Sequence, residues 1–153
     1  ARGLGDVYKR QQLDGATQCI FKIETRSALS NLSSILDKVE CVLIDRGDLA
    51  SEIGILSVPV AQRKIVSSAL SVGCRVFCAT QFLQSMVSNS TPLIAEVDSI
   101  FSAVGSGVHG IQLSAETAIG KHGLDCIDLI LETVKTWQLS KEDRSSILME
   151  SNH

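Results

Sequence analysis

The sequence predicts an α/β fold built from four parallel β/α units. Four times, an apolar and β-prone stretch ends in polar residues and is followed by a segment with helical spacing. The connections are short, which favours parallel strands joined by helical crossovers. Four such units make either half of an eight-stranded barrel or a small open sheet, and the pattern alone fits both.

The first two units have clear strands and one predicted helix between them. Residues 19–23 alternate and are apolar enough for a strand, and Cys41-Val42-Leu43-Ile44 is a continuous apolar run, as in a strand buried on both faces. Residues 25–39 carry apolar side chains at helical spacing, with Ser and Asn on the other face. Residues 45–57 are predicted to form a loop.

The last two units follow the same order. Pro59 suits the first turn of a helix, and Gly73 is predicted to end that helix. Strands are predicted over residues 75–79 and 110–113. Three further helices are predicted over residues 81–88, over 94–104, and from Gly123 or Asp125 to Trp137.

Composition places the chain among globular proteins with a single core. It has 153 residues, of which 44% are hydrophobic and 20% charged. A net charge of −3 and an aromatic content of 4% argue against binding to nucleic acid. No apolar run approaches the roughly 18 residues that a membrane helix needs, and no secretion signal opens the chain. The five cysteines, an odd number, suit free thiols of a reducing compartment, so a cytoplasmic protein is predicted.

The two ends of the chain differ from the repeating part. Residues 1–11 lack apolar periodicity, and Asp6-Val7-Tyr8-Lys9-Arg10-Gln11 resembles the translation of a sequencing-library adapter. We therefore predict a non-native leader over 1–11, with an ordinary disordered N-terminus as the alternative. Residues 12–138 hold the β/α units, and the polar residues 139–153 are predicted to be a C-terminal tail or frayed helix.

Polar side chains end the first two strands. Lys22 and Glu24 are two residues apart and therefore share a face of the first strand. They form either an ion pair on the surface or part of a metal or phosphate site. Asp45 and Asp48 follow the second strand, so Arg46 or a metal is expected beside them. Carboxylates on neighbouring strands, here Glu24 and Asp48, offer the hard oxygen ligands that suit Mg²⁺.

The third and fourth strands end in hydroxyl groups and another carboxylate. Thr80 could donate a proton, bind phosphate or cap a helix. The fourth strand is followed by Ser114, Glu116 and Thr117, which are either catalytic residues or a capping cluster before a turn. Because active sites of parallel β/α folds lie at the carboxyl ends of the strands, the four ends are predicted to build one site.

Taken together, these strings resemble the pyruvate kinase family. The strings are Lys22-Ile23-Glu24, Asp45-Arg46-Gly47-Asp48-Leu49, Cys78-Ala79-Thr80-Gln81 and Leu113-Ser114-Ala115-Glu116-Thr117-Ala118. Their order and spacing are similar to the family's from about residue 19 to residue 132. The resemblance implies that residues 12–138 form the second half, strands five to eight, of a TIM (β/α)₈ barrel.

The resemblance also implies an activity, which is phosphoryl transfer from phosphoenolpyruvate to ADP, giving pyruvate and ATP in glycolysis. It implies Mg²⁺ held by Glu24 and Asp48, with Lys22 as a catalytic residue that stabilises charge on the transferring phosphoryl group. Substrate would be bound by Lys22, Gly47, Asp48 and Thr80. The K⁺ that the family uses would have its ligands in the part of the barrel upstream of this chain.

Proton delivery to the enolate is implied for the last two strand ends. Thr80 would lie close to the transferred proton, with Ser114 and Glu116 as further catalytic residues in the relay. The full-length protein is expected to be a homo-oligomer that binds phosphoenolpyruvate and ADP, with no nucleic acid and no membrane as partners. Several positions depart from the family's pattern: Asp45 for Ala, Ala50 for Gly, Gln84 for Glu, Ile94 for Arg, Ser99 for Asp and Ala115 for Gly.

Two other functions fit the same residues. One is a metal-dependent aldolase or lyase that stabilises a pyruvate enolate with Glu24 and Asp48. The other is a non-catalytic homologue that binds a phosphorylated ligand.

We predict that these 153 residues alone are inactive and self-associate, because half of a barrel exposes two strand edges and apolar side chains. Sedimentation and thermal melting test this prediction. A monomer that unfolds cooperatively would contradict it.

Overall fold

The computed structural model describes residues 19–150, with side chains described for residues 19–142. The predicted leader over residues 1–11 lies outside the described residues. The described chain divides into two compact units. The first unit contains residues 19–81 and 106–112, and the second contains residues 82–105 and 113–150.

The first unit contains a parallel sheet of four strands. The strands are β1 (Phe21–Ile23), β2 (Cys41–Asp45), β3 (Arg75–Ala79) and β4 (Gly110–Gln112). Their spatial order is β1-β2-β3-β4, and each neighbouring pair is parallel. This order, in which every strand pairs with the next along the chain, is that of a barrel and shows no reversal of the doubly wound kind. The carboxyl ends of all four strands therefore meet at one edge of the sheet.

The core of the first unit lies on the two central strands. All five residues of β2 are buried, which confirms the strand predicted from the apolar run. Ile23, Ile44 and Val76 are fully buried on three neighbouring strands. Such continuous apolar sequences are typical of parallel strands, because both faces of the sheet are buried.

The predicted helix over residues 25–39 is two short helices. They are α1 (Arg26–Ser30) and α2 (Leu32–Leu36). Between them, Asn31 leaves helical geometry with φ −105° and ψ 17°, and its side-chain amide donates to the carbonyl of Ser27 at 2.9 Å. Asn side chains compete in this way with the backbone bonds of a helix, which explains the interruption.

The predicted loop over residues 45–57 is wrong. Helix α3 (Arg46–Ile53) begins directly after β2, and a 3₁₀ turn covers Ile55–Ser57. Asp45 is the N-cap of α3, because its carboxylate accepts a hydrogen bond from the backbone N–H of Asp48. An aspartate directly after a predicted strand is a helix-start signal in the sequence, and the Asp45 cap is the physical reason why a helix replaces the predicted loop.

Helix α4 (Val58–Ser71) confirms the helix predicted from Pro59. It packs against β2 and β3, and its buried residues include Ile65 and Val66. Gly73 lies just after the end of this helix, at φ +73°, a backbone conformation that glycine adopts without steric cost.

The second unit is helical. Its elements are a 3₁₀ turn over Gln84–Val87, α5 (Ile94–Gly105), α6 (Ala115–Ala118) and α7 (Gly123–Glu150). Helices α5 and α7 pack against each other. The 3₁₀ turn replaces the helix predicted over 81–88, and α7 continues beyond Trp137, where the sequence pattern placed its end.

Glu96 joins the 3₁₀ turn to the start of α5. Its carboxylate accepts the Ser85 backbone N–H at 2.8 Å, the Ser85 hydroxyl at 2.5 Å and the Leu93 N–H at 2.9 Å. Burial acts to raise the pKa of Glu96, but the bonds from Ser85 and Leu93 outweigh it and leave the pKa lowered. Glu96 is therefore a charged anchor between two segments of the second unit.

Candidate active site

Three carboxylates meet at the carboxyl ends of β1 and β2 in the first unit. The register pairs Ile23 with Ile44, which places Glu24 beside Asp45 at the end of the sheet. One carboxylate oxygen each from Glu24, Asp45 and Asp48 lie within 4.8 Å of one another. The structure thus brings together the two predicted metal ligands, Glu24 and Asp48, and places the carboxylate of Asp45 beside them.

The ammonium of Lys22 lies among these carboxylates. Its Nζ is 2.5 Å from Glu24 Oε2, 3.0 Å from Asp45 Oδ2 and 3.6 Å from Asp48 Oδ2. Hydrogen bonds to Glu24 and then to Asp45 raise the pKa of Lys22, although partial burial opposes them. Lys22 is therefore a fully charged ammonium at neutral pH, and it cannot serve there as a proton acceptor.

Asp45 connects this charged cluster to the end of β3. Its Oδ1 accepts the hydroxyl proton of Thr80 and the backbone N–H of Asp48, each at 3.3 Å. Burial acts to raise the pKa of Asp45, but Lys22 and these two donors lower it overall. Asp45 is 8% exposed and stays ionised because its partners replace the lost water.

Thr80 is held in a left-handed backbone conformation. Its φ is +67° and that of Gln81 is +55°, values that non-glycine residues adopt only when their surroundings hold them there. The Thr80 hydroxyl accepts the Gly47 backbone N–H at 2.9 Å while donating to Asp45. Thr80 is therefore bound to the first turn of α3, rather than capping a helix of its own segment.

The guanidinium of Arg46 fixes the backbone of Thr80. Its Nε and Nη2 donate to the Thr80 carbonyl oxygen at 3.1 and 2.7 Å. The Arg46 side chain is buried, and burial lowers its pKa. The sequence predicted Arg46 or a metal beside the acids; the ammonium of Lys22 lies among them, and these two bonds of Arg46 stabilise the strained turn.

Ser114 and Glu116 belong to the second unit. Ser114 is the N-cap of α6 and accepts the Thr117 backbone N–H at 3.3 Å. Its Oγ is also 3.0 Å from Thr117 Oγ1 and 3.5 Å from Gln84 Oε1. Glu116 is exposed in the first turn of α6. The capping interpretation of this cluster is therefore correct for Ser114.

Within residues 19–150, no helix is both long enough and apolar enough to cross a membrane.

The fold and the site together define a class of protein. Sequentially ordered parallel β/α units carry charged groups at the carboxyl ends of their strands, where β/α-barrel enzymes have their active sites. Comparison with known proteins narrows this class. Residues 5–127 match the family model described as pyruvate kinase, barrel domain. This chain belongs to the pyruvate kinase family.

Individual relatives agree with this assignment. The chain is 40% identical over 116 residues to the pyruvate kinase of Thermotoga maritima, covering 76% of this chain and 25% of that protein. It is 39% identical over 123 residues to the pyruvate kinase of Leishmania mexicana, covering 80% and 25%. The crystal structure of pyruvate kinase from Pyrobaculum aerophilum superposes with a TM-score of 0.80 at 32% identity, covering 86% of this chain and 32% of that one. The chain thus spans about a quarter of the length of these curated relatives, and its fold is consistent with part of a TIM barrel.

Proposed function

We propose that residues 12–138 are strands five to eight of a pyruvate kinase-like barrel, and that the full-length protein transfers a phosphoryl group from phosphoenolpyruvate to ADP. One observation carries this proposal. In a chain of this family, the Lys22 ammonium lies within 3.6 Å of three carboxylates at the ends of two neighbouring strands. With a divalent cation held by these carboxylates, a polyanionic substrate would have that cation on one side and the Lys22 ammonium on the other.

The donor set fits Mg²⁺. Glu24 and Asp48 present hard oxygen ligands close enough to share one ion, and hard oxygen ligands are those that Mg²⁺ prefers. Glu24 and Asp48 would hold the ion through their carboxylates. Bound there, Mg²⁺ supplies positive charge that neutralises the phosphoryl and enolate oxygens.

Lys22 would stabilise the transferring phosphoryl group. The group carries negative charge on its equatorial oxygens as the bond to the enolate oxygen breaks and the bond to ADP forms. Because the pKa of Lys22 is raised, its ammonium stays charged throughout the neutral range. A fixed cation at this point lowers the barrier because it is already oriented before the reaction begins.

The first turn of α3 would bind the substrate. The backbone N–H groups of Gly47 and Asp48 point to Thr80 Oγ1 and Asp45 Oδ1, and they stand at the positive end of the helix dipole. A carboxylate or phosphate oxygen of the substrate could take the place of those acceptors. Gly47 has no side chain to crowd an anion there.

The enolate left after transfer must gain a proton at its methylene carbon to become pyruvate. We assign delivery of this proton to the Thr80 hydroxyl, whose position the Gly47 N–H and Asp45 define. The resemblance to the family implies Ser114 and Glu116 as further catalytic residues of this proton delivery. The short spacing of the Ser114 and Thr117 hydroxyls supports transfer of protons along that segment.

The aldolase or lyase alternative rests on the same Glu24 and Asp48 pair. The charged Lys22 favours phosphoryl transfer, because an enolate alone carries less charge than a phosphoryl group in transfer. Full-length protein should be assayed with phosphoenolpyruvate, ADP and Mg²⁺, and then with aldols of oxo acids. Pyruvate formation that depends on ADP supports our proposal. Cleavage of aldols without phosphoryl transfer would favour the lyase, and Mg²⁺-dependent ligand binding without turnover would favour a non-catalytic homologue.

Glu24→Gln in the full-length protein tests the metal ligands. Mutation of a residue that only hydrogen-bonds to a metal ligand already lowers metal affinity by about 10- to 100-fold. We therefore expect loss of this direct ligand to raise the Mg²⁺ concentration for half-maximal activity by at least about tenfold. Mn²⁺ binding, followed by electron paramagnetic resonance, should weaken in parallel. Glu132→Gln, an exposed residue of α7, is the matched control, and equal effects of the two changes would contradict the assignment.

A further inference from the structure

We propose that Asp45 sets the affinity of this site for its anionic substrate. Asp45 holds the Lys22 ammonium and the Thr80 hydroxyl, two groups that a phosphorylated substrate would engage, and so weakens substrate binding. This inference rests on the proposed function and adds to it a residue that determines affinity.

Every polar contact that the structure describes for the Asp45 side chain goes to a group at the proposed substrate site. Oδ2 is 3.0 Å from Lys22 Nζ, and Oδ1 accepts from the Thr80 hydroxyl and the Asp48 N–H at 3.3 Å. Asp45 is also 8% exposed, so little water screens its charge. An arriving anion must therefore compete with a carboxylate that already occupies the donors.

The charge of Asp45 adds to that competition. Among Lys22, Glu24, Asp45 and Asp48, three negative charges face one positive charge. The family's loop, which this segment resembles, has alanine in place of Asp45, and an alanine would leave two negative charges against one positive. Like charges a few ångströms apart repel strongly when they are shielded from water, so Asp45 disfavours a phosphorylated ligand.

Two substitutions in the full-length protein separate the hydrogen bonds from the charge. Asp45→Asn keeps an oxygen for the Thr80 hydroxyl and the Asp48 N–H but removes the charge. Asp45→Ala removes both and installs the residue of the family's pattern. Binding of phosphoenolpyruvate with Mg²⁺, and without ADP, is measured by titration calorimetry. KM and kcat are measured separately with ADP present.

We expect Asp45→Ala to bind phosphoenolpyruvate about tenfold more tightly than the unaltered protein and to lower KM by a similar factor. Asp45→Asn should give most of this gain, because charge is the larger effect. Asp37→Asn, an exposed aspartate of the first unit, is the matched control and should change neither value. A gain in affinity cannot result from misfolding, so this outcome is separate from any loss of stability.

The outcomes distinguish this inference from the proposed function. Unchanged or weaker binding in both Asp45 variants, with normal turnover in the unaltered protein, overturns the inference and leaves the function standing. Tighter binding in the variants without any turnover supports the inference while contradicting the proposed phosphoryl transfer. Absence of phosphoenolpyruvate binding in all forms overturns both.

Discussion

Replacing Lys22 by methionine in the full-length protein is expected to lower kcat by about 100- to 1,000-fold. Methionine keeps the length and much of the apolar stem of lysine but removes the positive charge. The phosphoryl group would then lose the cation that lies among Glu24, Asp45 and Asp48. Pyruvate formation from phosphoenolpyruvate and ADP at saturating Mg²⁺ measures the effect.

The control for Lys22 is Lys38→Met, which removes an exposed lysine from the same unit. It should leave kcat within about twofold, since distant surface charges are screened by salt. If Lys22→Met retains more than a tenth of the original kcat, Lys22 is not the residue that stabilises the transferring group.

Replacing Arg46 by methionine is expected to lower the free energy of unfolding by about 2 kcal/mol and to reduce kcat as well. The guanidinium makes two bonds to the Thr80 carbonyl, and hydrogen bonds to a charged group contribute more than neutral ones. Without these bonds, less interaction energy offsets the strain of Thr80 at φ +67°, so its backbone relaxes. Its hydroxyl then leaves the position that we assign to proton delivery. Urea unfolding followed by circular dichroism, together with kcat, measures the two effects.

Arg46→Lys is a second test of the same contact. A lysine carries the charge but lacks the planar fork that reaches one carbonyl with two N–H groups. Arg63→Met, at an exposed position of α4, is the control and should move the unfolding midpoint little. Equal stability of Arg46→Met and Arg63→Met would show that the Thr80 turn does not depend on Arg46.

The sheet could be predicted from the sequence because its signals are local. The apolar run over 41–44 and the strand over 75–79 depend only on neighbouring residues, and Pro59 and Gly73 mark the helix between them. The pattern alone fits both a barrel and an open sheet, and the resemblance to the family favours the barrel. The sequential strand order and the structural match agree with that choice.

Other features depend on contacts that a local pattern does not contain. The partner of Arg46 is a carbonyl 34 residues away, and that of Asp45 is a hydroxyl 35 residues away. Helix α3 is not predicted from the sequence because carboxylates at Asp45 and Asp48 also indicate a metal or phosphate site, whereas in the structure Asp45 caps the helix and Asp48 lies in its first turn. The interruption of the predicted helix at Asn31 does not show in the sequence, because the helical spacing of apolar residues continues across it.

The pair of left-handed residues after β3 has a consequence for how this segment can change. Thr80 and Gln81 each carry a conformational cost of about 1 kcal/mol or more, which glycine would avoid. Glycine at position 81 would remove that cost but would loosen the orientation of the adjoining peptide groups. Selection for thermal robustness and selection for a rigid reaction centre therefore favour different residues at position 81.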